Sequence, residues 1–508
     1  MASTSIPPGS PSPVVTPFPE EETEADSSVA SSSLDQGGDE VGAGVGGVAR
    51  LPGTVRPLLV LAVPVLIEQT LALGVGFTDK WLSGNLLPGP EYLAAVGLVA
   101  YCLAFLPAVF AVASVSVTAI VARAVGGGDL QTASRATAQA MLVGGSVVAA
   151  VLAMSAFGGR AFIGMLGLPD ASSQLTLDYL AIALPALPLL MVTQVGVAAL
   201  RGAGEMTTGM VVMTLVNLVN ALASAALVTG WGGLPRLGWH GLAWGTAISS
   251  GCGALVTAAV LVQGRGQLRL TGRDWLPDLT LAKRLVAVGL PAGWDGMAHA
   301  ICQLGFLSIV NRLGDVDAAA HSLAITIESL AFLPGSAFQV SAATLSGQFL
   351  GAGDERRARE SVWLAAIVCT MLMSSVALVL GLEAERLADF FLADGQQQVA
   401  SITAGLVRIV AFAQPPLAVF MVFSGGLRGA GQTRMPMIVN LSVMIFVRLP
   451  LALFLAWDII PLPAGLGELS GLGLGVTGAW YAMAVDLLLR GVVLTLVFLS
   501  PGWSRTRV

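Results

Sequence analysis

The chain has 508 residues, of which 55% are hydrophobic and only 11% charged. A soluble protein of ordinary composition carries about 25% charge. The shortage lies in long apolar blocks, which excludes a soluble globular fold, while the lack of short alternating segments excludes a transmembrane β-barrel. The formal charge of −6 belongs to the first fifty residues, which hold eight acids and one base, so it says nothing about a substrate.

Residues 1–50, rich in Ser, Pro, Gly and Glu, are predicted to be a disordered acidic tail. The tail lacks the basic segment and apolar core of a secretory signal. Apolar stretches long enough to span a bilayer then follow near 57–80, 92–121, 136–158, 174–198, 207–230 and 240–263. A charged connection at 265–284 separates these from six more, near 285–311, 318–347, 361–382, 400–424, 435–457 and 474–499. The predicted fold is therefore all-α and polytopic, with 12 transmembrane helices in two six-helix lobes. The lobes are residues 51–264 and 285–500, with a short tail at 501–508.

The two lobes read as copies. Leu103-Ala-Phe-Leu-Pro107 returns as Leu330-Ala-Phe-Leu-Pro334, and Leu200-Arg-Gly-Ala-Gly204 returns as Leu427-Arg-Gly-Ala-Gly431, both 227 residues later. Pro64 and Pro291, and the carboxylates Glu68 and Asp295, keep the same offset. Six spans per copy start both copies on one side of the membrane, which makes the repeat parallel, an architecture common in secondary transporters. With the N-terminus inside, 17 Lys and Arg fall on the cytoplasmic face and 6 on the other, which predicts that both termini are cytoplasmic.

Polar residues inside spans are the candidate site, because a charge in hydrocarbon costs at least about 2.5–3.5 kcal/mol on insertion scales. In the first span, Glu68 stands beside Gln69 and Thr70, and Asp79 lies eleven residues on, on roughly the same helix face. Lys80 is an available neutraliser of Asp79. The fifth span carries Asn217 and Asn220. In the seventh, Asp295 and His299 are one turn apart, as a proton relay or as a hydrogen-bonded structural pair. Glu328 lies in the eighth span; Asp486 and Arg490 in the twelfth are spaced to neutralise each other. Arg448 needs a carboxylate partner that the sequence does not identify. Trp294, Met297, Phe306, Phe332 and Phe338 are candidates to line a pocket for flat cations. Pro107, Pro185, Pro188, Pro334, Pro415 and Pro416 are expected to bend their helices.

Other chemistry finds little support. The four cysteines sit in apolar segments without metal-ligand spacing and read as small buried hydrophobes. Three scattered histidines (His240, His299, His321) do not make an enzyme's cluster. The glycine turns Gly126-Gly-Gly-Asp129 and Gly351-Ala-Gly-Asp354 lack the strand and Gly-Lys-Ser/Thr of a phosphate loop.

Over residues 56–500 the chain resembles the multidrug and toxic compound extrusion (MATE) antiporters. The resemblance rests on the two six-span halves, Phe77-Thr-Asp79 followed by Gly84, Ala94-Ala-Val-Gly97, the Gly-Gly-Gly-Asp turn and the repeated Leu-Arg-Gly-Ala-Gly ends. It implies a V-shaped pair of lobes that expels organic cations in exchange for protons or sodium ions, with no other cofactor. It also implies a monomer in the inner (plasma) membrane whose partners are a small-molecule substrate and the bilayer, not nucleic acid. Bacterial DinF-like and NorM-like members are the nearer match.

The resemblance puts a cation-coupling acid at Asp79 and the fifth-span asparagine at Asn220, or else Asn217. Where DinF-like members have an aspartate four residues on, this chain has Ser224. Where NorM-like members have a glutamate after the seventh-span proline, it has His299. The set expected to couple cations is Asp79, Glu68 and Asp295. Gln69, Thr70, Asn217, Asn220, Trp294, His299 and Glu328 are expected to line the substrate cavity. The alternatives are a lipid-linked precursor flippase of the same wider superfamily, disfavoured by an interior with more acids than bases, and a membrane-embedded enzyme.

Overall fold

The computed structural model describes residues 47–86, 105–165, 170–264, 267–391, 396–461, 468–500 and 502–505, with isolated positions between 92 and 103. Among the described residues, twelve helical stretches are long and apolar enough to cross a membrane. Of the tail predicted at 1–50, residues 1–46 lie outside the described residues, but the prediction of disorder fails at its end: Gly47–Arg50 forms a 3-10 turn whose Val48 and Ala49 pack into the core, with the Val48 backbone donating to Gln348 at 2.8 Å. The first half contains α1 (Val55–Leu86), α2 (Leu106–Gly126), α3 (Leu130–Met165), α4 (Asp170–Ala183), α5 (Leu187–Gly202), α6 (Met206–Thr229) and α7 (Trp239–Gln263). The second contains α8 (Leu279–Asn311), α9 (Asp315–Gly351), α10 (Glu355–Leu382), a short α11 (Ala384–Phe391), α12 (Gln397–Gly429), α13 (Arg434–Val443), α14 (Leu449–Ala456) and α15 (Gly475–Leu499). A π-helical turn, Met444–Arg448, joins α13 to α14 in one span. A two-stranded hairpin, β1 (Ile459–Pro461) with β2 (Glu468–Ser470), precedes α15.

Residues such as Phe157, Phe412, Phe446 and Leu255 turn large apolar side chains to the outside of their spans, the arrangement that a hydrocarbon solvent favours. The loops obey the repeat. Asp129 accepts a hydrogen bond from the Thr132 backbone at 2.9 Å, and Asp354 accepts one from Arg357 at 2.9 Å, so each glycine turn ends one span and caps the next. Gly204 and Gly431, which close the repeated Leu-Arg-Gly-Ala-Gly, share a left-handed φ of +86°. The charged connection is fastened down: Gln139 of α3 donates to the carbonyls of Asp274 and Leu276 at 2.9 Å, and Asp278 caps α8 through Thr280 and Leu281.

The prolines act less uniformly than the sequence suggests. Pro107 falls in the first turn of α2, just after a break at Phe105, where its missing N–H costs nothing. Pro185 sits in a 3-10 turn between α4 and α5. Pro334, Pro415 and Pro416 remain inside continuous helices.

Each half lends the beginning of its first helix to the other. Leu58, Leu61, Ala62 and Val65 of α1 join the hydrophobic core of the second half, whereas Leu281 and Leu285 of α8 join a core of the first. Small residues allow the close approach this requires. A Cβ on Gly289 would lie 1.7 Å from the Val112 carbonyl oxygen, and one on Gly351 would lie 2.1 Å from that of Arg123.

Candidate functional site

A cavity of about 570 Å³ lies mainly in the second half. Its walls come from α8 (Asp295, His299, Gln303), α9 (Glu328, Phe332, Gln339), α12 (Phe420, Met421, Arg428), α13 (Asn440), the π turn (Arg448) and α15 (Met483, Leu487, Arg490), with Pro107 to Val115 of α2 closing one side. Apolar and aromatic walls with a few convergent polar groups make the usual character of a small-molecule site.

The polar groups form one chain. Arg428 donates to one oxygen of Asp295 at 2.5 Å, and Asn440 donates to the other at 2.6 Å. The Asn440 carbonyl accepts from Arg490 at 2.6 Å, and Arg490 also binds Asp486, as its spacing predicts. The partner sought for Arg448 is this same Asp486, at 3.8 Å. Glu328 stands apart, with no ion pair or hydrogen-bond partner among the described residues although it lines the cavity.

The first half repeats only the start of that chain. Glu68, 4% exposed, is bound by Arg201. Both pairs are 133 residues apart in sequence, and each acid and each arginine recurs 227 residues later. A smaller cavity, about 150 Å³, lies between the halves and is lined by both Arg201 and Arg428. Thus the arginines of Leu-Arg-Gly-Ala-Gly are not simply loop charges marking helix ends. They fold back to neutralise a carboxylate on the first helix of their own copy.

Several expectations are corrected. Asp295 spends its oxygens on Arg428 and Asn440, and among the described residues it forms no hydrogen bond with His299, as either the relay or the structural pair would need; His299 lines the cavity. Trp294 does not line the cavity. It is 60% exposed, because the neighbouring Asp295 points inward and one residue is a turn of about 100°. Among the other aromatics, Phe332 lines the cavity, while Phe306 and Phe338 are buried. Gln69 and Thr70 lie outside the cavity lining, with the Thr70 hydroxyl returned to the Leu66 carbonyl at 2.9 Å. Asn220 is buried against Thr246 and Ser249, both at 3.4 Å, while the Asn217 side-chain nitrogen is unpartnered; neither lines the described cavities. Asp79 belongs to α1, but its side chain and that of Lys80 lie outside the described residues. Nor do acids outnumber bases around the described ion pairs and the larger cavity: Glu68, Asp295, Glu328 and Asp486 meet Arg201, Arg428, Arg448 and Arg490.

Sequence reading missed Arg201, Arg428 and Asn440. For the arginines a signal existed, since acid and base recur at one offset. Asn440 had none, because Met213 occupies its repeat position.

Comparison with known proteins agrees with the duplication. One protein-family model, MatE, matches the chain twice, over residues 64–226 and 291–454. The chain belongs to the MatE family. The two matched blocks begin 227 residues apart, the offset of the paired acids. The chain is similar to a probable multidrug resistance protein NorM of Thermotoga maritima, 26% identical over 461 residues, covering 90% of this chain and 95% of the relative. It is also similar to an FAD transporter of Shewanella oneidensis, 23% identical over 437 residues, covering 86% and 92%. Among solved structures, a MATE protein in complex with MaL6 superposes with a TM-score of 0.79 at 19% identity, covering 87% of this chain and 95% of that one. At that identity the likeness concerns the fold: twelve helices in two pseudo-symmetric six-helix lobes. As a MatE-family protein the chain is a multi-pass membrane transporter, not an enzyme.

Proposed function

We propose that this protein is an ion-coupled antiporter of the inner membrane that exports amphipathic, cationic small molecules by alternating access. The observation that carries the reading is Glu328, a carboxylate without a partner among the described residues, in an apolar-walled cavity. A substrate cation and a coupling ion, proton or sodium, compete for that charge, and the differential affinity biases which way the lobes open. Glu68 and Asp295 exchange an ion only in a conformation that opens their arginine pairs, whereas Glu328 requires no such opening. Asp79 stays a coupling candidate through the family resemblance, and the NorM relative supports efflux of drugs. The Lys and Arg bias supports cytoplasmic termini.

The test is efflux of a fluorescent cation from vesicles under an imposed proton or sodium gradient. One gradient should drive efflux by the wild type, and Glu328→Gln should abolish that coupling. Glu68→Gln and Asp295→Asn should act mainly through folding. If neither gradient moves the dye, the antiporter reading fails. A second reading, transport of anionic cargo such as a lipid-linked precursor, is favoured by the three arginines in the cavity wall and by the FAD-transporter relative. Gradient-driven movement of an anionic dye but not a cationic one would select it.

A further inference from the structure

We propose that Arg448 is a tethered internal cation that competes with the exported cation for Glu328. The inference rests on the antiporter reading above and adds a residue with a defined part in it. Arg448 is 3% exposed and lines the cavity with Glu328. Its guanidinium lies over the Phe306 ring, 4.3 Å from the centroid. Among the described residues it donates no hydrogen bond, and its Nε is buried without a partner. The one carboxylate within ion-pair range, Asp486 at 3.8 Å, is already bound by Arg490.

Charge accounting then isolates two groups. Arg428 is matched by Asp295, and Arg490 by Asp486. What remains is Glu328 on α9 and Arg448 on the π turn, opposite charges facing one cavity, each without a close partner of its own. An unpaired ion is costly in such surroundings. Arg448 and an entering cation then compete for the same carboxylate: Arg448, held only loosely by Asp486 at 3.8 Å, supplies positive charge to the cavity that Glu328 would otherwise draw from the cation, and like-charge repulsion disfavours both at once.

The backbone supports a movable Arg448. It ends the π-helical turn, and Pro450 follows at the start of α14, so the usual helical ladder is interrupted on both sides of it. This device is not part of the duplication: 227 residues earlier the position is Ala221. At the equivalent position the first lobe therefore has no charged group to play this part.

The experiment is equilibrium binding of tetraphenylphosphonium to the full-length protein in lipid nanodiscs. The variants are Arg448→Met, Arg448→Lys, Glu328→Gln and the double Arg448→Met/Glu328→Gln. Removing the competitor should tighten binding by Arg448→Met roughly tenfold, the scale of one near charge at an intermediate dielectric, while efflux slows because nothing displaces the bound cation. Arg448→Lys, with its point charge on a different tether, should fall between wild type and Arg448→Met, and serves alone should Arg448→Met fail to fold. The double variant should bind no better than Glu328→Gln. Equal or weaker binding by folded Arg448→Met or Arg448→Lys overturns the inference, as does tightening that survives loss of Glu328. Absence of cation binding and of gradient-driven efflux in the wild type instead rejects the functional reading, and this inference with it.

Discussion

Glu68 and Arg201 show what a single duplicated contact does in a bilayer. Glu68 is buried within α1, and Arg201 reaches it from the end of α5. Removing one partner leaves the other buried and uncompensated, at a cost of about 3–5 kcal/mol, whereas removing both together costs much less. Arg201→Met should therefore lower the thermal unfolding midpoint strongly in detergent, and Glu68→Gln/Arg201→Met should recover most of the loss. Additive losses in the double variant would show that the pair is not an energetic unit. Asp295 has a more elaborate role, since Asn440 links it to Arg490 and so ties α8 to α13 and α15.

At the scale of elements, the crossed packing of α1 and α8 matters most. Gly289 lets α8 cross α2 at backbone contact, and no rotamer change can relieve a Cβ placed 1.7 Å from a carbonyl oxygen. Gly289→Ala should separate α8 from α2. A cysteine introduced beside this seam, at Val286, should then react faster with a membrane-impermeant thiol reagent than in the parent protein, after the native cysteines are replaced. Unchanged labelling would mean that the seam is not held by this contact.

Spans were legible because twenty apolar residues have few alternatives, and the repeat was legible because turns demand particular residues: Gly204 and Gly431 adopt one backbone angle. Side-chain direction was less legible. An arginine at a helix end reads as a solvent charge until the helix with its acid is known to pack alongside. Trp294 and Asp295 are adjacent, so periodicity alone could not say which faced inward. The π turn at Met444–Arg448 lies in an apolar run; Pro450 marks a break in the ladder beside it, but not the change of pitch.

For the whole molecule, the duplicated fold supplies two comparable lobes, while the chemistry is unequal. The first lobe neutralises its buried acid Glu68 with one arginine. The second adds Asn440, Arg448, Asp486, Arg490 and the unpartnered Glu328 around a larger cavity. Transport by rocking one lobe against the other needs only that the occupant of the cavity bias the equilibrium. The most direct measurement is therefore a competition: binding of a labelled organic cation to purified protein, titrated with protons or sodium ions, the coupling ions proposed above. The ion should displace the cation competitively in the wild type, and Glu328→Gln should abolish that competition without unfolding the protein. Simultaneous binding of both in the wild type, or unchanged competition in Glu328→Gln, would contradict the account.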